Sequence, residues 1–123
     1  MMSTPGWLDH PRPVAIAHRG GSLENEENTL PAFAHAVALG YRHLETDVRL
    51  TADGEVVVHH DATLQRMAGD PRRIDALTWR ELHRVRTHGK ASVPRLAEVL
   101  EEFPDILFNI EPKSPDVVEP LAQ

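Results

Sequence analysis

Short apolar segments alternate with amphipathic ones along the chain. Val14–Ala17 is a brief apolar run that predicts a buried strand, and a polar loop follows it. Thr29 is placed to cap a helix that Gly40 would end. The apolar positions of this predicted helix recur at three- and four-residue spacing, and its buried face would comprise Leu30, Phe33, Ala34 and Val37.

The hydrophobic period changes to two in the next segment. His43–Leu50 predicts a strand with Leu44, Thr46, Val48 and Leu50 on one face and His43, Glu45, Asp47 and Arg49 on the other. A turn is predicted at Asp53-Gly54, followed by a second strand over Glu55–His59. In a simple hairpin Asp47 lies opposite His60, although a different connection would also allow both residues to reach one rim.

The remaining segments continue the alternation. Ala62–Ala76 is polar and is predicted to be an ordered loop, and Thr78 with Glu81 forms a capping-box pattern that opens a short helix. A longer helix is predicted from Pro94 to Phe103, with Leu96, Val99, Leu100 and Phe103 on one stripe, and Ile106–Ile110 predicts a buried strand. Helices between short apolar strands are typical of an α/β fold with a parallel sheet.

Composition restricts the functional classes. The 123 residues suffice for one domain and include no cysteine, which excludes disulfides, thiolate nucleophiles and cysteine-ligated metals. A net charge of −6 argues against general nucleic-acid binding. No signal peptide or membrane span is apparent, because residues 1–13 lack an apolar stretch and no segment approaches about 20 apolar residues. We therefore expect a cytoplasmic location.

Carboxylates gather where the predicted strands end. Glu45 and Asp47 project from one face of a strand, and Glu111 follows the strand Ile106–Ile110. Such carboxylates repel one another unless a cation lies between them, and an all-oxygen set favours Mg²⁺ or Ca²⁺. The alternative is a hydrated face or pairing with Arg49.

Histidines and cations occupy similar positions. His18 and His60 are candidates for proton transfer, because imidazole titrates near neutrality and phosphodiester cleavage needs a base and an acid. Arg19 offers a bidentate donor for phosphate oxygens, and Lys113 is placed to hold an anion beside the metal. Any one of these residues alone is more often an ordinary loop group or helix cap.

The ordered set of motifs resembles the glycerophosphodiester phosphodiesterase family. The matching segments are Ile16–Gly20, Glu27–Thr29, Glu45–Leu50, Asp53-Gly54, Val56–Asp61, Leu77-Thr78 and Asn109–Lys113. The resemblance implies a (β/α)₈ TIM barrel that hydrolyses glycerophosphodiesters, in glycerophospholipid metabolism, to sn-glycerol 3-phosphate and an alcohol. A lysophospholipase D-type enzyme of the same fold is the alternative.

The resemblance also implies a role for each matching residue. One divalent cation, Mg²⁺ or Ca²⁺, would be bound by Glu45, Asp47 and Glu111. The acid–base pair would be His18 and His60, and the substrate phosphate would be held by Arg19 and Lys113. Glu27 would sit at the metal or orient Arg19.

The chain departs from the family pattern in three respects. Glu26 stands where proline is more usual, and Pro112 replaces an aliphatic residue, which would shift Lys113. A complete barrel needs about 250 residues, so we expect residues 1–13 to be a lead-in and residues 14–123 to form only the first half. A half-barrel is expected to self-associate through exposed edges. It would have little activity alone, or would be a non-catalytic chain that needs another chain.

Overall fold

The computed structural model describes residues 16–17 and 26–122. Its elements, in chain order, are β1 (Ile16–Ala17), α1 (Leu30–Ala38), β2 (His43–Leu50), β3 (Val56–Val58), β4 (Thr63–Leu64), α2 (Gln65–Ala68), β5 (Asp70–Arg73), α3 (Trp79–Leu82), α4 (Leu96–Glu102), β6 (Leu107–Pro112) and α5 (Val118–Ala122). Two 3₁₀ turns, Ile74–Ala76 and Pro115–Val117, precede α3 and α5. None of the helices between residues 26 and 122 is long and apolar enough to cross a membrane.

The main sheet is organised around β2. Strand β6 pairs with it in parallel along His43–Val48, β1 pairs in parallel with His43 and Leu44, and β3 pairs antiparallel with Val48–Leu50. The predicted parallel α/β arrangement is therefore present, with one antiparallel hairpin added to it. The hairpin turn is where the sequence predicts it, and Gly54 supplies its positive φ of 89°.

Helix α1 begins and ends as the sequence predicts. The Thr29 hydroxyl accepts a hydrogen bond from the Ala32 N–H at 3.3 Å, and Gly40 follows the helix with φ of 102°. The predicted buried face is partly wrong, because Ala34 is exposed whereas Ala32, Phe33 and Ala36 are buried. The Phe33 ring packs in a T-shaped arrangement against the rings of Phe103 and Phe108, so this face of α1 lies against them.

Two hydrophobic clusters pack against the central strands. The larger lies among α1, β2 and α4 and contains Phe33, Ala36, Leu44, Val48, Val58, Leu96, Val99 and Val117. The smaller contains Val57, Leu64, Ile74, Leu77, Leu82 and Val93. Adjacent residues Val57 and Val58 enter different clusters, as alternation along a strand requires. Leu100 of the predicted stripe is 42% exposed, so that assignment is wrong.

The segment predicted to be a loop, Ala62–Ala76, has regular structure. It contains an antiparallel pair, β4 and β5, with the one-turn helix α2 between them. Leu64 and Ile74 are buried and attach this segment to the smaller cluster. The prediction was wrong because two-residue strands and a single helical turn are too short to show a hydrophobic period.

Candidate active site

Three carboxylates converge where the middle of β2 lies beside the carboxyl end of β6. Asp47 is the register partner of Glu111, and Glu45 lies two residues earlier on the same face of β2. One ligand oxygen from each of the three residues lies within 4.8 Å of the others. Asp47 is 1% exposed, whereas Glu111 is exposed. The cluster is therefore buried at Asp47 and open to solvent at Glu111. The structure thus brings together all three residues predicted to bind metal.

Lys113 lies beside this cluster. Its Nζ is 3.1 Å from Glu111 Oε2 and 3.8 Å from Asp47 Oδ1, and the side chain is only 20% exposed. The ammonium group partly offsets the repulsion between the carboxylates. Because Lys113 N–H donates to the Val48 carbonyl at 3.0 Å, the strand pairing continues past Pro112. Pro112 therefore does not end the pairing of β6 with β2 before Lys113.

Asn28 orients Asp47 and was missed by sequence reasoning. Its Nδ2 donates to Asp47 Oδ2 at 3.1 Å, and its Oδ1 accepts from the Thr46 hydroxyl at 3.0 Å. Asn28 adopts a left-handed φ of 56° and is 2% exposed, a conformation that asparagine tolerates better than most residues. Its position within the matched segment Glu27–Thr29 was the only signal in the sequence.

The β2–β3 hairpin sets the position of His60. The register places His59, not His60, opposite Asp47, and His59 N–H donates to the Asp47 carbonyl at 3.0 Å. The simple hairpin expectation was therefore off by one residue, since residues 51–55 form an odd-length connection between Leu50 and Val56. His60 is the next residue, and Arg49 Nε donates to its carbonyl at 2.9 Å. Arg49 thus fixes the backbone at this candidate for proton transfer.

A second group of charged side chains adjoins His60. His60 Nδ1 is 2.8 Å from Asp61 Oδ1, and Arg66 Nε and Nη2 donate to Asp61 at 2.8 and 3.0 Å. Arg66 Nη1 and Nη2 also donate to the two oxygens of Glu27 at 3.0 and 2.8 Å. The hydrogen bonds from Arg66 hold the pKa of Asp61 well below its usual value. The hydrogen bonds that Arg66 donates to Glu27, and next those to Asp61, raise the pKa of Arg66.

These contacts bear on the prediction for Glu27. Within the described residues, the acidic group able to hold a metal comprises the three clustered carboxylates and does not include Glu27, whose carboxylate accepts from Arg66. His18 and Arg19 lie outside the described residues. Sequence reasoning did not assign Asp61 or Arg66 a role, and Arg66 lies in the segment predicted to be a loop.

The donor set suits a hard divalent cation. Carboxylate oxygens are the ligands that Mg²⁺ and Ca²⁺ prefer, and no sulfur or imidazole ligand belongs to the group found in the described part of the chain. Asn28 donates to Oδ2 of Asp47, whereas the other carboxylate oxygen, Oδ1, lies on the side of Lys113. The residues present therefore fit a metal of this class.

Comparisons with known proteins agree with this arrangement. Residues 18–122 match the model of the glycerophosphoryl diester phosphodiesterase family. A Mycobacterium tuberculosis protein named as a probable glycerophosphodiester phosphodiesterase is 37% identical over 95% of this chain and 45% of its own length. A lysophospholipase D of Mus musculus is 40% identical over 80% of this chain and 35% of its own length.

A solved structure shows the same fold. The phosphodiesterase of Oleispira antarctica, in complex with the product sn-glycerol-3-phosphate, superposes with a TM-score of 0.80 at 29% identity. The match covers 90% of this chain and 52% of that one. The chain thus spans about half the length or less of these relatives. The prediction of the family's barrel fold, represented by its amino-terminal half, is confirmed. The chain belongs to the glycerophosphoryl diester phosphodiesterase family.

Proposed function

We propose that this chain contributes the metal-binding part of a phosphodiesterase that hydrolyses glycerophosphodiesters to sn-glycerol 3-phosphate and an alcohol. The observation that carries the proposal is the convergence of Glu45, Asp47 and Glu111 next to Lys113. Support comes from the family match and from the related phosphodiesterase whose structure contains sn-glycerol-3-phosphate. The substrate is accordingly a small phosphodiester.

The three carboxylates would hold one divalent cation, Mg²⁺ or Ca²⁺. When bound, such an ion neutralises phosphate charge and polarises the phosphorus. Lys113, with its Nζ already at the cluster, would bind a non-bridging phosphate oxygen and would add to the stabilisation of charge in the transition state. Arg19 would provide the second, bidentate contact to the phosphate.

Two histidines would move the protons. Hydrolysis requires that one group deprotonates the attacking nucleophile and that another protonates the departing alkoxide oxygen. His60 and His18 would fill these roles, because imidazole can accept a proton in one step and donate it in the next. His60 is half-buried, with its carbonyl tied to Arg49, so its backbone is fixed while the ring remains accessible to substrate.

Metal binding by the chain itself is the first test. We expect titration calorimetry to show binding of one Mg²⁺ or Ca²⁺ per chain, and Asp47→Asn to weaken binding at least about tenfold, because a buried ligand charge is lost. Asp105→Asn removes an exposed carboxylate elsewhere and serves as the matched control. Equal affinity in the Asp47 and Asp105 variants would contradict the assigned site.

Catalysis is tested in a hybrid that replaces the matched segment of the Mycobacterium tuberculosis relative with this chain. We expect release of sn-glycerol 3-phosphate from glycerophosphocholine, loss of release after chelation of divalent ions, and a fall in kcat of about 100-fold or more for His60→Ala. We expect little turnover from the 123 residues alone. Undiminished activity after chelation, or in His60→Ala, would exclude the proposed mechanism.

The second candidate function is lysophospholipase D activity, which the similarity to the mouse protein favours. The two reactions share the metal and the scissile phosphodiester but differ in the lipid chain on the glycerol. The same hybrid should therefore be assayed with lysophosphatidylcholine beside glycerophosphocholine, comparing kcat/KM. Cleavage of neither substrate would favour a non-catalytic chain.

A cytoplasmic location stays a prediction, which cell fractionation would check.

A further inference from the structure

Glu27, Arg66 and Asp61 form a continuous charged unit next to His60. The Arg66 guanidinium donates two hydrogen bonds to Asp61, through Nε and Nη2, and two to Glu27, through Nη1 and Nη2. This double fork requires a planar guanidinium, and lysine cannot reproduce it. The Glu27 side chain is only 8% exposed, so it is a fixed anchor for an arginine that is itself 48% exposed.

The unit determines which nitrogen of His60 carries the proton. The pKa of Asp61 is held below its usual value, so this group is a carboxylate at neutral pH and can only accept hydrogen bonds. Its Oδ1 is 2.8 Å from His60 Nδ1. In the neutral imidazole Nδ1 must therefore be the protonated nitrogen, which leaves the lone pair on Nε2.

We propose that Asp61 and Arg66 are positioning residues that hold His60 as its Nδ1–H tautomer and thereby make Nε2 the atom that exchanges protons with the substrate. The proposal rests on the proposed function only in assigning proton transfer to His60. Nε2 accepts one proton to form the imidazolium and later releases that proton, while the Nδ1 proton stays on the ring. Asp61 remains a carboxylate throughout, so the charge of the unit is the same before and after the proton is exchanged.

Two different arginines then fix the two parts of His60. Arg49 holds its backbone carbonyl at 2.9 Å, and Arg66 holds its ring through Asp61. Because Glu27 precedes the cap of α1, the arginine also ties the loop after β3 to the start of that helix. The ring orientation of His60 is thereby coupled to the same short segment whose Asn28 orients Asp47.

The direct test is the tautomer of His60 in the full chain labelled with ¹⁵N-histidine. Long-range ¹H–¹⁵N correlation spectra above pH 8 should show a protonated Nδ1 and an unprotonated Nε2. Asp61→Asn should shift the ring toward the Nε2–H tautomer, because an amide can donate to Nδ1. A wild-type ring that is already Nε2–H, or one unchanged by Asp61→Asn, would overturn the proposal whatever the activity is.

Arg66 is tested with a matched control pair. Arg66→Met should lower the Nδ1–H population of His60, and Arg66→Lys should give an intermediate value because the charge is kept and the fork is lost. Arg73→Met removes a similar exposed arginine that donates to Asp75 at 2.9 Å through each of two nitrogens, and it should leave the His60 ring unchanged. Equal effects of Arg66→Met and Arg73→Met would refute a specific role.

Kinetics of the hybrid enzyme separate this proposal from the proposed function. Asp61→Asn should lower kcat roughly 10- to 100-fold, the usual effect of removing a carboxylate that orients a functional histidine, with little change in KM. If His60→Ala has no effect, the proposed function fails while the tautomer result stands. If His60→Ala is inactive but Asp61→Asn and Arg66→Met are fully active, the positioning role fails alone.

Discussion

At the scale of single residues, His59 is a buried imidazole with an unusual environment. It is 5% exposed, and its Nε2 has no hydrogen-bond partner among the described residues. Burial lowers the pKa of His59, because the charged form loses hydration. The folded protein therefore keeps this ring neutral, whereas the unfolded chain protonates it near its ordinary pKa of about 6.5.

The sign of the resulting pH dependence follows from linkage. With a depressed pKa in the folded state, the contribution of His59 to stability is complete above about pH 6.5 and is lost as the pH falls through the folded-state value. We expect the free energy of unfolding to fall less between pH 7.5 and 5.5 in His59→Leu than in the wild type. Urea unfolding measures this, and His35→Leu, which alters an exposed histidine on α1, is the control. Parallel pH curves for wild type and His59→Leu would contradict the assignment.

At the scale of elements, Glu26 ties two distant segments together. Its carboxylate accepts from the Thr87 hydroxyl and, at 2.8 Å, from Gly89 N–H. Thr87 in turn closes the loop by accepting from Ala91 N–H at 3.0 Å, and Lys90 adopts a positive φ of 72° within it. The residue that departs from the family's proline thus acquires a structural role in this chain. It anchors the loop after α3 beside Glu27.

Removing this anchor should loosen the loop. We expect Glu26→Ala to accelerate tryptic cleavage after Lys90 several-fold with a loss of stability of about 1–2 kcal/mol, the cost of lost charge-assisted hydrogen bonds. Gly89→Ala should act similarly, because its Cβ would lie 2.6 Å from Glu26 Oε1. Glu102→Ala, at the exposed end of α4, is the control. Unchanged cleavage in both loop variants would show that the anchor is dispensable.

Elements and sites were predictable from the sequence where their signals are local. The cap at Thr29 and the capping box at Thr78 each involve residues within one helical turn, and both are present. The convergence of the three carboxylates is not local, but it was predictable because side chains toward the carboxyl ends of parallel strands meet at one edge of the sheet. The bonds of Asn28 to Asp47 and of Arg66 to Glu27 span 19 and 39 residues, and no local pattern encodes such pairs.

At the scale of the whole molecule, the described sheet has an open side. Strand β6 pairs with β2 alone among the described strands, and Leu107 at its start is 59% exposed. An unpaired strand edge beside an apolar side chain favours pairing with another chain. Self-association through this edge, expected from the sequence, stays a prediction.

The edge can be tested by sedimentation velocity. We expect concentration-dependent association of the chain in the micromolar range, and we expect Leu107→Lys to weaken it because a charge on an edge strand opposes pairing. Leu39→Lys changes another leucine with 57% exposure, at the end of α1, and should have less effect. Association weakened equally by both variants would indicate a general apolar contact rather than edge pairing.

Pro112 limits what that open edge can accept. The N–H groups of Leu107 and Lys113 donate to the carbonyls of Arg42 and Val48, so alternate residues of β6 face β2 and those between them face outward. The outward donors are therefore Phe108 and Ile110, and Pro112 has none. A strand added on this side would form an incomplete ladder at its carboxyl end. At the end of β6 next to the acidic cluster, the backbone therefore favours a neighbouring strand that turns away from β6 over one that keeps pairing with β6.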